Sequence, residues 1–313
     1  MYEQYPYPSP VVEDQVILDL ANVIGLAFPE EDFNGKTIID FGCGTGHRMI
    51  GVAQQYPGAK LIGVDVAGKS LHIAAALAKR LGVTNVHFVQ EDLRQFHHPG
   101  GADLITSTGV LHHRQNPQTG FDCVADNLKP DGIAVIWLYN AAGEYFRILN
   151  CQLARILSRV ADGDYEDGIR VLKEFRLDLS QEQYGSGVPS QGDERSKLAF
   201  EVDAYLHPIV HSYRFEEAIE MFHRSGLSWV CINGINRLGE SKLLDPANVA
   251  DDPYFCLKTQ ELFRSCALVE RYQNLSLLEK LCAIEIAWRP TGFTCIAGRE
   301  NSHSNATPAF LPG

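Results

Sequence analysis

The run Ile38-Ile39-Asp40-Phe41 followed by Gly42-Cys43-Gly44-Thr45-Gly46 constrains this chain more than any other feature. An apolar run broken by one acid suits a strand covered on both faces, and three alternating glycines force a sharp turn at its end. Such a turn lets backbone amides and the next helix N-terminus approach a ligand closely, as nucleotide-type cofactor loops do. A dinucleotide fingerprint is excluded, because His47 stands where its third glycine belongs. A P-loop is excluded too, since no lysine closes the turn. Asp40 suits a ligand carrying a positive amine, because a pyrophosphate gains nothing beside a carboxylate.

The residues downstream extend the pattern. Lys60 to Val64 reads as a second strand ending at Asp65, where an acid can hold the two hydroxyls of a ribose or, equally, cap the next helix. Leu71, Ala74, Ala75, Ala78 and Leu81 then follow helical spacing. Val86 to Val89 forms a third strand and delivers Asp92 and Leu93. Ala102 to Thr106 is the fourth, followed by Ser107-Thr108-Gly109-Val110-Leu111-His112-His113. Ile133 to Leu138, after a turn at Lys129-Pro130-Asp131-Gly132, is the fifth. Acids at the carboxyl ends of three successive strands fall where open parallel sheets bind ligands.

These glycine, acid and post-strand motifs resemble the class I S-adenosylmethionine-dependent methyltransferases, whose loop has the form E/D-x-G-x-G-x-G. The amino-terminal Tyr5-Pro6-Tyr7-Pro8 is similar to that of a bacterial branch of the family. The resemblance implies an α/β fold: a Rossmann-like, seven-stranded, mostly parallel sheet with helices on both faces and an antiparallel last strand. It implies S-adenosylmethionine as cofactor, held by Asp40, Gly42, Cys43, Gly44 and Gly46, by Asp65 and Val66, by Asp92 and Leu93 at the adenine, and by Ser107 and Thr108.

Five segments follow from this reading. Residues 1–36 form an arm and cap helix, the helix running through Val12, Val16, Leu20, Val23 and Ala27. Residues 37–140 form the cofactor core, and 141–213 a mainly helical insertion covering the acceptor. Leu149, Leu153, Ile156, Leu157 and Val160 make one stripe of that insertion, and Gln181 to Ser196 a polar, glycine-rich loop. Residues 214–300 return to the core with a strand at Ser228 to Ile232, a helix at Leu277 to Ala287 and a strand at Phe293 to Ala297. Residues 301–313 read as a flexible tail.

Methyl transfer from a sulfonium needs alignment, exclusion of water and, for a hydroxyl or ammonium acceptor, removal of a proton. Alignment is expected to dominate. Histidines titrate near neutrality, so His112 and His211 are the candidate catalytic residues, and Tyr5, Tyr7, His207 and Tyr213 the candidate acceptor contacts. The spacing of His207 and His211 suggests a metal pair, but Pro208 breaks the helix and no third ligand is evident, so no metal is expected.

Composition narrows the partners. The net charge of −12 opposes binding to a phosphate backbone, and nucleic acid is not expected as acceptor. The eight cysteines include no C-x-x-C pair, and no apolar run has transmembrane length, which points to the reducing cytoplasm and away from membranes. A small-molecule acceptor is the favoured reading. A peptide or protein acceptor, and a non-catalytic S-adenosylmethionine-binding interaction protein, stay open beside it. The oligomeric state is not readable from these residues, and a homodimer is one arrangement open to the chain.

Overall fold

A computed structural model of the chain describes residues 1–9, 15–176, 194–237, 240–244 and 257–299. An eight-stranded sheet runs through it in the order β3-β2-β1-β4-β5-β8-β6-β7. The parallel half comprises β1 (Thr37–Phe41), β2 (Lys60–Asp65), β3 (Val86–Gln90), β4 (Ala102–Thr108) and β5 (Leu128–Tyr139). β8 (Gly292–Gly298) is antiparallel to both β5 and β6 (Trp229–Arg237). The strand beyond the expected seven is β7 (Glu240–Leu243), which pairs antiparallel with β6 at the sheet edge.

Alternation along the strands explains the layers. Ile38, Leu61 and Leu104 face one apolar cluster, shared with Ile24 of α1 (Asp19–Ala27) and Met49 and Val52 of α2 (His47–Gln55). Ile39, Phe41 and Ile105 face the other, packed by Phe121 of α4 (Gln118–Asn127), Phe222 of α8 (Phe215–Arg224) and Trp288 of α11 (Leu277–Trp288). A sheet buried on both faces needs near-continuous apolar strands, which is what β1 and β4 supply. α3 (Gly68–Arg80) packs Leu77 and Ala78 against Ile50 of α2. Because β1 lies between β2 and β4, the connections reverse direction there, and the crevice at its carboxyl end is the natural ligand position.

Helices α5 (Ala141–Leu157), α6 (Tyr165–Glu174) and α7 (Glu194–Leu206) form a satellite cluster between β5 and β6, with Cys151, Leu172, Val202 and Leu206 buried and Met1 and Tyr5 packed against it. Two short helices, α9 (Thr259–Leu262) and α10 (Cys266–Gln273), precede α11.

Three expectations are corrected. Helix α1 starts at Asp19; Val16 precedes it, and Val12 lies outside the described residues, as do the tail and 181–193 of the loop expected over Gln181 to Ser196, whose last three residues instead open helix α7. Lys129 to Gly132 are not a free turn before the fifth strand but part of β5, where pairing with β4 shifts register between Ala102 and Leu104. On α5, Leu149, Leu153, Ile156 and Leu157 face outward, while Glu144, Arg147, Cys151 and Ala154 face inward. The inner face can be polar because Glu144 pairs with Arg147, whose Nη1 donates to the carbonyl of Ala204.

Candidate functional site

The turn after β1 is built from backbone amides. Gly42 N and Cys43 N both donate to the Val64 carbonyl, at 2.7 and 3.2 Å, which ties the turn to the end of β2. Gly44 N donates to Asp65 Oδ2 at 2.8 Å, and Ala67 N donates to Asp65 Oδ1 at 2.8 Å. Each carboxylate oxygen keeps a lone pair for a ligand hydroxyl. The cap alternative for Asp65 does not hold: the N-cap of α3 is Ala67, and it makes no side-chain cap bond.

The amino-terminal arm crosses directly above this turn. Gly44 has φ +54°, and a Cβ there would lie 2.2 Å from the Tyr7 carbonyl oxygen. Thr45 N donates to that same oxygen at 3.2 Å, and Thr45 Oγ1 donates to the Pro8 carbonyl at 2.6 Å. On its other side the arm meets the helical insertion: Tyr2 Oη donates to Asp203 Oδ1 of α7 at 2.7 Å.

Under the arm lies a cavity of about 300 Å³. Asp40, Gly42, Cys43, Gly44, Asp65 and Val66 line it from β1 and β2, and Leu93 and Thr108 from the strands beside them. Tyr7 and His207 line it as well. Gly46 holds the start of α2 with φ +75° and is not on the wall. Ser107 is buried and donates to the Phe41 carbonyl at 3.0 Å, so it braces β4 against β1 instead of lining the cavity. Asp92 is not on the wall either: its carboxylate is bonded to Arg94 and Arg114, whose guanidinium groups hold it well below the usual carboxylate range.

The chemistry of the wall is uneven. Burial pushes the Asp40 carboxyl up to about 7, although Thr106 Oγ1 donates to it at 2.8 Å. Ser70, 1% exposed, carries an Oγ without a hydrogen-bond partner among the described residues. Burial also lowers His113 to about 4 and His207 to about 3, so both rings are neutral near pH 7. Their tautomers follow from the backbone. His113 Nδ1 lies 2.7 Å from the Ile209 carbonyl, which can only accept, so Nδ1 carries the proton and Nε2 keeps a lone pair. That Nε2 is buried and has no partner among the described residues. His207 Nδ1 accepts from Ile209 N at 3.1 Å, which leaves its Nε2 as the donor. The two rings stack at 3.8 Å between centroids.

The histidine assignment therefore changes. His112 is wholly buried against Tyr139, at 4.0 Å between centroids, and lines neither this cavity nor its neighbour; His113 is the one on the wall. His211 lines neither cavity: its N donates to the His112 carbonyl at 2.8 Å and its Nε2 donates to the Arg114 carbonyl at 3.0 Å. These bonds strap residues 207–213, which follow the helix end that Pro208 enforces, onto the turn after β4. Tyr213 sits in the main core beside Phe121, and Tyr5 packs on Tyr165, so neither reaches the cavity. Tyr2 reaches the wall as one of the tyrosines of the amino-terminal arm, and Ser70 and Arg48 are wall residues that the motifs did not single out. Of these two, only Arg48 had a local signal, its place directly after the glycine turn at the start of α2. No three His, Cys, Asp or Glu side chains among the described residues are arranged to hold a metal ion, and no helix there is long and apolar enough to cross a membrane.

Residues 32–168 match a family described as "Methyltransferase domain". An uncharacterized protein of Synechococcus sp. is 28% identical over 251 residues, covering 77% of this chain and 57% of that protein. A ubiquinone biosynthesis O-methyltransferase of Pectobacterium carotovorum is 34% identical over 104 residues, 33% of this chain and 42% of the relative. The chain thus spans about half the length of the curated relatives it matches. PKMT2 from Rickettsia typhi, solved in complex with AdoHcy, shares the fold with a TM-score of 0.62 at 15% identity, covering 95% of this chain and 55% of the other.

Proposed function

We propose that this chain, whose residues 32–168 match a family described as "Methyltransferase domain", is a class I S-adenosylmethionine-dependent methyltransferase that transfers a methyl group to an O, N or C atom of a small-molecule acceptor. The observation that carries this reading is the amide-lined turn of Gly42 to Gly44 with two acids on one cavity under the arm, Asp40 buried and Asp65 half-buried. The donor set fits S-adenosylmethionine. Asp65 offers lone pairs to a ribose diol, Asp40 a carboxylate to an ammonium, and Val66 and Leu93 apolar surface to a flat ring, while Ser70 has an unspent hydroxyl. Cofactor bound there supplies an electrophilic methyl on a sulfonium.

The chain's own residues supply the rest. The arm, tied to Thr45 on one side and Asp203 on the other, covers part of the cavity and narrows the access of water to it. His207 can donate from Nε2 and His113 can accept at Nε2, so the pair can orient a hydroxyl and take its proton as the new bond forms. A roofed cavity favours a small molecule over an extended peptide.

Calorimetric titration with S-adenosylhomocysteine tests the cofactor reading, and micromolar or tighter binding is expected. Asp65→Ala should weaken that binding by about 1.5–3 kcal/mol, because two charge-assisted hydrogen bonds are lost. An unchanged heat and affinity in this variant would mean that the diol is held elsewhere.

Affinity should also depend on pH through Asp40. With its carboxyl raised from 3.8 to about 7, the free fold favours the protonated acid, so this group's contribution to stability is full below 3.8 and is lost as pH rises through about 7. A cationic ligand group needs the carboxylate. Binding below pH about 7 therefore releases a proton, and affinity should climb by up to about tenfold per pH unit until it levels off there. Titrations in buffers of different ionisation enthalpy count that proton; no release near pH 6 would remove Asp40 from the amine site.

A further inference from the structure

A second cavity, of about 660 Å³, lies beside the first. Tyr7, Arg48, Thr108 and Gly109 belong to both walls, so the two spaces adjoin at the end of β4, beside the arm. Its wall is mostly apolar, with Trp137 and Tyr139 from β5, Phe200 from α7, and Leu20 and Val23 from α1. This is the volume of a ligand of drug-like size, with flat aromatic surface to meet it.

The charged groups of that wall are largely matched among themselves. Glu144 pairs with Arg147, Arg48 with Asp19, and Lys242 with Glu240. Asp203 accepts from Tyr2 and is raised by burial, which favours its neutral form. Arg237 has no acidic partner among the described residues; its Nη1 donates to the Trp288 carbonyl and its guanidinium lies over the Trp288 ring. An occupant with a positive charge would therefore find no free counter-charge there.

One polar group does point to a ligand. Pairing of β6 with β8 slips between Ile232 and Gly234, which makes Asn233 the extra residue of a β-bulge. Bulges turn a side chain away from the strand's alternation, often beside a site. Asn233 is 2% exposed and lines the cavity, and its Nδ2 has no hydrogen-bond partner among the described residues. A buried amide donor left unpaired is costly, and a ligand oxygen would complete it.

We propose that this second cavity is the acceptor chamber, and that it takes a mostly apolar ring compound that carries no positive charge and presents a carbonyl or ether oxygen to Asn233. The proposal rests on the methyltransferase reading above and names the acceptor class.

The test uses the full chain saturated with S-adenosylhomocysteine, and 6-hydroxyflavone as the probe, followed by calorimetry. Micromolar binding is expected. Gly234 lies on the chamber wall, and a Cβ there meets nothing closer than 3.7 Å, so Gly234→Phe should plug the chamber without straining the backbone. Flavone affinity should then fall at least about tenfold while S-adenosylhomocysteine affinity stays within about twofold. Val23→Trp, from α1, is an independent plug should the first variant fail to fold, and Asn233→Leu should weaken the probe about tenfold. No flavone binding to wild type, unchanged binding in both plugged variants, or competition between flavone and S-adenosylhomocysteine would overturn the chamber. Tighter binding of a lysine-rich peptide at the plugged site would overturn the acceptor class. If S-adenosylhomocysteine itself fails to bind, the cofactor reading falls, whereas plug-sensitive flavone binding to the free chain still supports the chamber.

Discussion

Gly44→Val is expected to abolish S-adenosylhomocysteine binding in calorimetry, a loss of at least about 100-fold, near 3 kcal/mol. Two costs combine at this position. The backbone sits at φ +54°, which a β-branched residue resists, and the new Cβ would lie 2.2 Å from the Tyr7 carbonyl oxygen. That contact is with backbone, so no side-chain rotation relieves it. The arm must lift, which breaks the Thr45 bonds to Tyr7 and Pro8 and opens the roof. Gly82→Val is the matched control, because Gly82 has φ +66° but its Cβ would meet nothing within 4 Å. It should lower thermal stability by about 1–2 kcal/mol and leave binding intact. If both variants bind equally well, the arm does not roof the cofactor cavity.

How much of this was legible depends on how local each determinant is. Strands β1 to β4 could be read because each is a short apolar run closed by glycine or an acid. The place of Asp65 on the cavity wall was legible for the same reason: it ends a strand, and its partners Gly44 N and Ala67 N belong to neighbouring turns. That Asp92 lies off the wall was not legible, because Arg94 and Arg114 hold its carboxylate and Arg114 comes from a turn fixed by another strand. The stripe on α5 misled because apolar spacing shows that a helix has two faces, not which one is buried; the inner face is set by the Glu144–Arg147 pair and its contact with α7. The bulge at Asn233 leaves no trace in a pattern of period two, since any residue between Cys231 and Ile235 can be the extra one.

The choice between His112 and His113 was undecidable locally, and it carries the second large effect. Both lie in a 3₁₀ turn over Leu111–His113, whose adjacent side chains point about 120° apart, so only one can face a given cavity. The strap of residues 207–213 decides which: the Ile209 carbonyl accepts a hydrogen bond from His113 Nδ1, and His211 N donates to the His112 carbonyl. With a hydroxyl acceptor in hand, His113→Ala should lower kcat by about 10²–10⁴-fold and leave S-adenosylhomocysteine affinity within about twofold. His113→Gln should be nearly as slow, because an amide can fill the space but cannot take a proton. Since burial lowers His113 to about 4, its Nε2 lone pair stays free across the neutral range, and wild-type kcat should not fall on its account until pH drops toward that value. The sign for stability agrees: a ring that must stay neutral contributes stability above its unfolded value of 6.5, and loses it as pH falls toward about 4. Full activity in His113→Gln would make the residue a packing element and leave alignment as the whole of catalysis. Equal loss in His112→Ala would show that the contacting rings of Tyr139, His112, His113 and His207 act as one scaffold, with no single proton acceptor among them.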